Sequence, residues 1–201
     1  MLDALSPASP PILGGHSAGA YFALNWVLQN PTCGGLVLLE GGYLDPVPDG
    51  TDLHDLARQN QDYLASRRFL SWETFFEAER DAARHWDHDA EVMLQSQMIE
   101  YGGAVVPRIR VDTANQVMSA LAPYRVQDIT LVSCPALLVM ATLPTEMAPQ
   151  RREGAAKLRD KIPGLEVVEV PDAGHDLLLD NPTAVSQCVW EFLSRINSPT
   201  T

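Results

Sequence analysis

Four short apolar runs recur along the chain at wide intervals. Ile12-Leu13 lead into Gly14-Gly15, "GGLVLLEGG" covers 34–42, "CPALLVMA" covers 134–141 and "LEVVEV" covers 165–170. Runs of this length, bounded by glycine or proline, fit strands covered on both faces. Between them the apolar spacing turns helical. Tyr21, Leu24, Val27 and Leu28 follow the first run, and "PQRREGAAKLRDKIPG" separates the last two as a charged helix with a Pro-Gly stop. "NPTAVSQCVWEFLSRI" closes the pattern as an amphipathic helix. Strands alternating with helices imply parallel crossovers, so the expected class is α/β with a mostly parallel sheet of about four strands.

One long interval breaks the alternation. After the Pro-rich "DPVPDG", Leu53, Leu56, Ala57 and Leu64 keep helical spacing. Trp72, Phe75, Phe76, Ala83 and Trp86 do so behind a Ser71 cap, and Val117, Met118 and Leu121 again before 130. The pattern predicts a helical insertion at 45–129, with the core formed by 1–44 and 130–201. The aromatic residues of the insertion serve either its own packing or an acyl or aromatic pocket.

The chemistry concentrates where the first strand meets its helix, in "GGHSAGA". A phosphate-binding P-loop would need lysine and a hydroxyl where Ala20 and Tyr21 stand, and a dinucleotide fingerprint would need glycine at His16. G-x-S-x-G fits without a misfit as Gly15-His16-Ser17-Ala18-Gly19. Small neighbours let the backbone fold sharply so that the serine oxygen projects, and the amide that follows opens a helix suited to a developing oxyanion. A base for such a serine must come from a loop set by a rigid element. His175 in "PDAGHDLLLDNP" lies just beyond the last strand. A carboxylate should orient that imidazole. Glu40 ends a buried strand, where a charge needs a partner, and ranks first. Glu146 in the loop after the next strand competes, and Asp172 and Asp176 beside His175 rank third.

Composition narrows the setting. Hydrophobic residues make up 46% and charged residues 20%, as in an ordinary globular protein, and the net charge of −12 disfavours nucleic acid and anionic membranes as partners. The N-terminal sequence has neither a basic segment nor a long apolar one, so a cytoplasmic location is expected. Cys33, Cys134 and Cys188 are widely spaced, which points to free thiols rather than a disulfide framework or zinc site. "HWDHD" at 85–89 offers His85, Asp87, His88 and Asp89, but no further ligands converge on it in sequence, and a solvated cluster is expected with no metal.

Taken in order, "GGHSAGA", "LVLLEGG", the helical insertion, "CPALLVMA" and "DAGHDLLLDNP" resemble the α/β-hydrolase superfamily in its serine-nucleophile branch. The resemblance implies a triad of Ser17, His175 and an acid at Glu40 or Glu146, with Glu40 preferred because "ATLPTE" departs from the usual form of the later acid loop. It also implies the Ala18 amide as oxyanion donor, the insertion as a cap, and His16 and Tyr43 bordering the substrate pocket. It implies a small-molecule acyl substrate (ester, thioester or amide) and no cofactor. It also implies an α/β-hydrolase fold lacking its N-terminal strands, because only about ten residues precede the elbow strand. The Pro11–Gly15 strand would then become a sheet edge open to self-association. The alternative expectation is a catalytically silent fragment acting at most as a binding or assembly module.

Overall fold

The computed structural model describes residues 10–197, which divide into two compact units, 10–45 with 124–197, and 46–123.

The first unit is built on four parallel strands: β1 (Ile12–His16), β2 (Gly35–Leu39), β5 (Ala136–Ala141) and β6 (Leu165–Val170), in the order β1-β2-β5-β6. Helices α1 (Ala18–Gln29), α6 (Ala148–Lys161) and α8 (Pro182–Ile196) accompany them, with a single turn, α7 (Leu177–Asp180), before α8. The strands are apolar on both faces because both faces are covered. Leu36, Leu38, Ala136 and Leu138 pack with Leu24, Val27, Leu158 and Ile162 on one side. Val37, Leu137 and Val139 pack with Leu177, Val185 and Phe192 on the other. Because every strand runs the same way, the segments leaving their C-terminal ends gather along one edge, where ligands of open α/β sheets bind.

The two ends of the sheet differ. On β6, Glu166 pairs with Arg195, and Glu169 pairs with Arg152 at 3.6 Å. β1 carries no charged side chain in Ile-Leu-Gly-Gly-His, and among the described residues it pairs only with β2.

The second unit contains α2 (Leu53–Ser66), α3 (Trp72–Ala82), α4 (His88–Ser96) and α5 (Val111–Leu121). Asp52, Ser71 and Asp87 cap the first three, Ser71 in a reciprocal box with Thr74. The insertion is not wholly helical, as the spacing had implied. β3 (Met98–Tyr101) and β4 (Ala104–Pro107) form an antiparallel hairpin around Gly102 and Gly103, whose φ values of 59° and 71° suit a two-residue turn. The hairpin is easily missed because only Met98, Ala104 and Val105 among its residues are buried, so its alternation is weak. Phe75, 1% exposed, has Phe69, Trp72 and Phe76 around it with ring centroids 5.2–5.9 Å away, which makes these aromatics the core of this unit.

Residues 124–129, placed in the insertion on sequence grounds, pack in the first unit. The Tyr124 hydroxyl donates to Gly42 O at 2.6 Å, Val126 N–H donates to Asp45 at 2.9 Å, and Val126 and Ile129 are buried in its core.

Candidate active site

Ser17 occupies the turn between β1 and α1 with φ 54° and ψ −122°, a strained conformation for a residue bearing a side chain. Its amide donates to Leu39 O of β2 at 2.9 Å and its carbonyl accepts from Ala20 N–H at 3.0 Å, so the turn is pinned on both sides. The surrounding glycines are unequal. A Cβ on Gly15 would lie 2.2 Å from the Gly19 carbonyl carbon and oxygen, and one on Gly41 would lie 2.4 Å from Ser17 O, whereas one on Gly19 would meet nothing within 4 Å. Gly15 and Gly41 thus permit the close approach. Ala18 is the first residue of α1, placing its amide among the free N–H groups of the helix start.

His175 arrives from the far end of the sheet. Ala173, fully buried, accepts hydrogen bonds from the amides of Thr142 and Leu143 at 3.0 and 2.9 Å, and Asp180 accepts from Gly174 N–H at 2.6 Å. His16 Nε2 donates to His175 O at 2.8 Å, with the two rings 5.1 Å apart. This loop brings His175 Nε2 to 2.8 Å from Ser17 Oγ across 158 residues of sequence. With the serine hydroxyl as donor, Nε2 is the accepting nitrogen. Packing around the ring, and secondarily the His16 imidazole, hold the His175 pKa below the ordinary histidine value, against the opposing charges of Asp176 and Glu40. The imidazole is therefore neutral at pH 7, the form a base requires.

Glu40, at φ 41° just beyond β2, is buried with Arg151, and each side chain is 5% exposed. Oε1 accepts from Arg151 Nε at 2.9 Å, while Oε2 accepts from Ala141 N–H at 2.6 Å and from the Tyr43 hydroxyl at 3.0 Å. Among the described residues no carboxylate hydrogen-bonds to the His175 ring, so Glu40 reaches it only through space. Tyr43, 1% exposed, is a support for the carboxylate and not a wall of an open pocket, which corrects the sequence expectation. Burial, and after it the facing carboxylate, push its phenol pKa far up, leaving it a fixed donor. His16, partly exposed beside Ser17, braces the histidine loop through His175 O. Glu146 is exposed in the loop after β5, and Asp172 and Asp176 are exposed beside His175.

Arg151 is the site residue that sequence reasoning missed, since it stands in a helix rich in charge. Its signal was spacing. Arg151, Gly154, Ala155 and Leu158 are the buried face of α6, at i, i+3, i+4 and i+7. A Cβ on Gly154 would lie 2.3 Å from Tyr43 O, so the glycine lets α6 close onto the segment that carries Glu40.

In "HWDHD", His85 pairs with Asp87 at 2.8 Å while Asp87 caps α4, and among the described residues no group of three or more ligating side chains converges. No described helix is long and apolar enough to cross a membrane.

The alpha/beta hydrolase family model matches residues 2–187. The chain belongs to the alpha/beta hydrolase family. No curated protein sequence matches it. Among solved structures it is similar to a peroxisomal alpha-beta-hydrolase from Saccharomyces cerevisiae, at TM-score 0.67 and 16% identity over 98% of this chain and 56% of that one. It is also similar to an esterase from M. tuberculosis (TM-score 0.61, 21% identity, 91% of this chain and 62% of that one). A thioesterase domain from the curacin biosynthetic pathway is similar as well (TM-score 0.59, 19% identity, 94% and 69%). At these identities the likeness is one of fold, and the chain spans little more than half the length of the yeast protein.

Proposed function

We propose that the protein is a serine hydrolase that cleaves a small or medium ester, thioester or amide. The observation that carries this reading is the 2.8 Å approach of His175 Nε2 to Ser17 Oγ at a strained strand-to-helix turn. In the proposed cycle His175 takes the Ser17 proton as Oγ attacks the substrate carbonyl. The Ala18 amide at the start of α1 donates to the oxyanion. Collapse breaks the bond to the leaving group, which takes the proton from His175, and water then releases the acid by the same route in reverse. Glu40 is the proposed acid, favouring the transient imidazolium through its charge rather than through a hydrogen bond. The titrating groups involved are all protein side chains, so no cofactor is needed for this chemistry. The free cysteines Cys33, Cys134 and Cys188 accord with a cytoplasmic setting in the same proposal.

The test is an acyl-enzyme trap. The protein is mixed with p-nitrophenyl esters and acyl thioesters of graded chain length, quenched in acid and analysed by intact and peptide mass. Acylation of Ser17 with chain-length dependence supports the reading. No acyl adduct with any member of the series would instead favour a catalytically silent module.

A further inference from the structure

We propose that Arg151 is a positioning residue of the Ser17–His175 pair: its guanidinium fixes the Glu40 carboxylate at the end of β2 and so sets the field that the carboxylate exerts on the His175 imidazole. The inference rests on the assignment of Ser17 and His175 as nucleophile and base.

The first support is burial. On α6 the neighbouring Arg152 side chain is 71% exposed, whereas that of Arg151 is 5% exposed. A guanidinium is withdrawn from water at high cost unless its donors are paired. Those of Arg151 are paired with Glu40 Oε1 at 2.9 Å, Leu143 O at 2.7 Å and Pro144 O at 3.1 Å. All three partners lie in segments leaving the C-terminal ends of β2 and β5. One side chain therefore ties together the two loops on the sheet edge from which Ser17 and His175 also project.

The second support is the way Glu40 uses its oxygens. Arg151, Ala141 N–H and the Tyr43 hydroxyl engage both of them, and none is given to His175. An acid acting only through space depends on the place and orientation of its charge, and the rigid fork of an arginine supplies both.

The third support is sign. The groups bearing on the His175 ring are His16 at the end of β1, Asp176 beside it, Glu40 beyond β2 and Arg151 on α6. Glu40 favours the imidazolium and Arg151 opposes it. Together they act as a fixed dipole. The free base remains neutral, while part of the carboxylate's charge still supports the cation that forms during turnover.

The test is an NMR titration of the His175 ring in the 201-residue chain, assigned by its loss in His175→Ala, together with the rate of fluorophosphonate labelling at Ser17. In Arg151→Met the His175 midpoint should move up and labelling should slow about tenfold, a fraction of what a general base supplies. In Glu40→Gln the midpoint should move down. Arg151→Lys keeps the charge without the fork, so it should return the midpoint toward wild type while labelling recovers only in part. Should Arg151→Met fail to fold, Arg151→Lys carries the test, and in the Glu40→Gln background the further change Arg151→Met should raise the midpoint through its charge alone while costing little additional labelling, because the carboxylate it positions is gone. A purely structural arginine would lower the melting temperature and leave the midpoint in place. That result, in any folded pair differing at Arg151, overturns the proposal. Absence of labelling in the wild type would overturn the hydrolase assignment instead, and the titration would still report on Arg151.

Discussion

Gly15→Ala is expected to damage the protein far more than Gly19→Ala, although both glycines belong to the same five-residue motif. An added Cβ at 15 would stand 2.2 Å from the Gly19 carbonyl carbon and oxygen and 2.6 Å from Ala20 N. Non-bonded heavy atoms settle at about 3.5 Å, so the first turn of α1 has to withdraw by more than ~1 Å. None of the three atoms belongs to a side chain that could rotate away. Overpacking of this kind costs about 1–3 kcal/mol, and each kcal/mol lowers Tm by roughly 2–4 °C in a domain of this size. Gly15→Ala should therefore melt roughly 2–12 °C below wild type. Ser17 moves with the turn, and a displacement of ~1 Å at a reacting group is worth on the order of 10²-fold in rate. Gly19→Ala meets nothing within 4 Å and gains helix propensity, so it should be neutral or stabilising by up to ~1 kcal/mol. A thermal melt followed by circular dichroism and the rate of Ser17 labelling by a fluorophosphonate decide the matter. If the two variants lose stability and labelling equally, or if Gly15→Ala behaves as wild type, the close-packed elbow is refuted.

Glu40→Gln should slow labelling and any measured ester turnover by about 10–100-fold, less than the loss seen when a hydrogen-bonded acid is replaced, because Glu40 acts through space. Glu146→Gln should leave both unchanged, and a reversal in steady-state assays would transfer the acid to Glu146. Because protonated His175 cannot accept the Ser17 proton, and its pKa lies below 6.5 chiefly through packing of the ring, the labelling rate should be level around pH 7. It should fall only on the acid side of the ordinary histidine range, and a midpoint above 6.5 in the pH profile would contradict this. β1, uncharged and unpaired on its outer side among the described residues, should drive self-association of the isolated chain. Light scattering after size exclusion should show oligomers that Leu13→Lys reduces, and a monodisperse wild-type monomer would exclude the edge as a contact.

The parallel sheet was legible because its strands are nearly pure apolar runs, covered on both sides by helices with their own 3.6-residue spacing. Ser17 and His175 were legible for a related reason: a serine among glycines at a strand end and a histidine just past another strand are local patterns, and parallel topology brings such ends together. The hairpin at 98–107 was not, since most of its residues face solvent and carry little alternation. Arg151 was hidden because charge in a helix reads as solvent-facing, and only its register with Gly154, Ala155 and Leu158 reveals the buried face. The partners of Glu40 were beyond reach for a different reason. A buried carboxylate announces that it needs a donor, but Arg151 lies 111 positions away and its approach depends on a glycine, Gly154, that allows α6 to touch Tyr43 O.

The central claim is that Ser17 is a nucleophile activated by His175, and peptide mapping after treatment with a fluorophosphonate tests it most directly. The account predicts a single adduct on Ser17 in the wild type, none in Ser17→Ala, and a loss of at least ~10²-fold in labelling rate in folded His175→Ala. An adduct on another residue, or a His175→Ala variant labelled at Ser17 as fast as wild type, would contradict it.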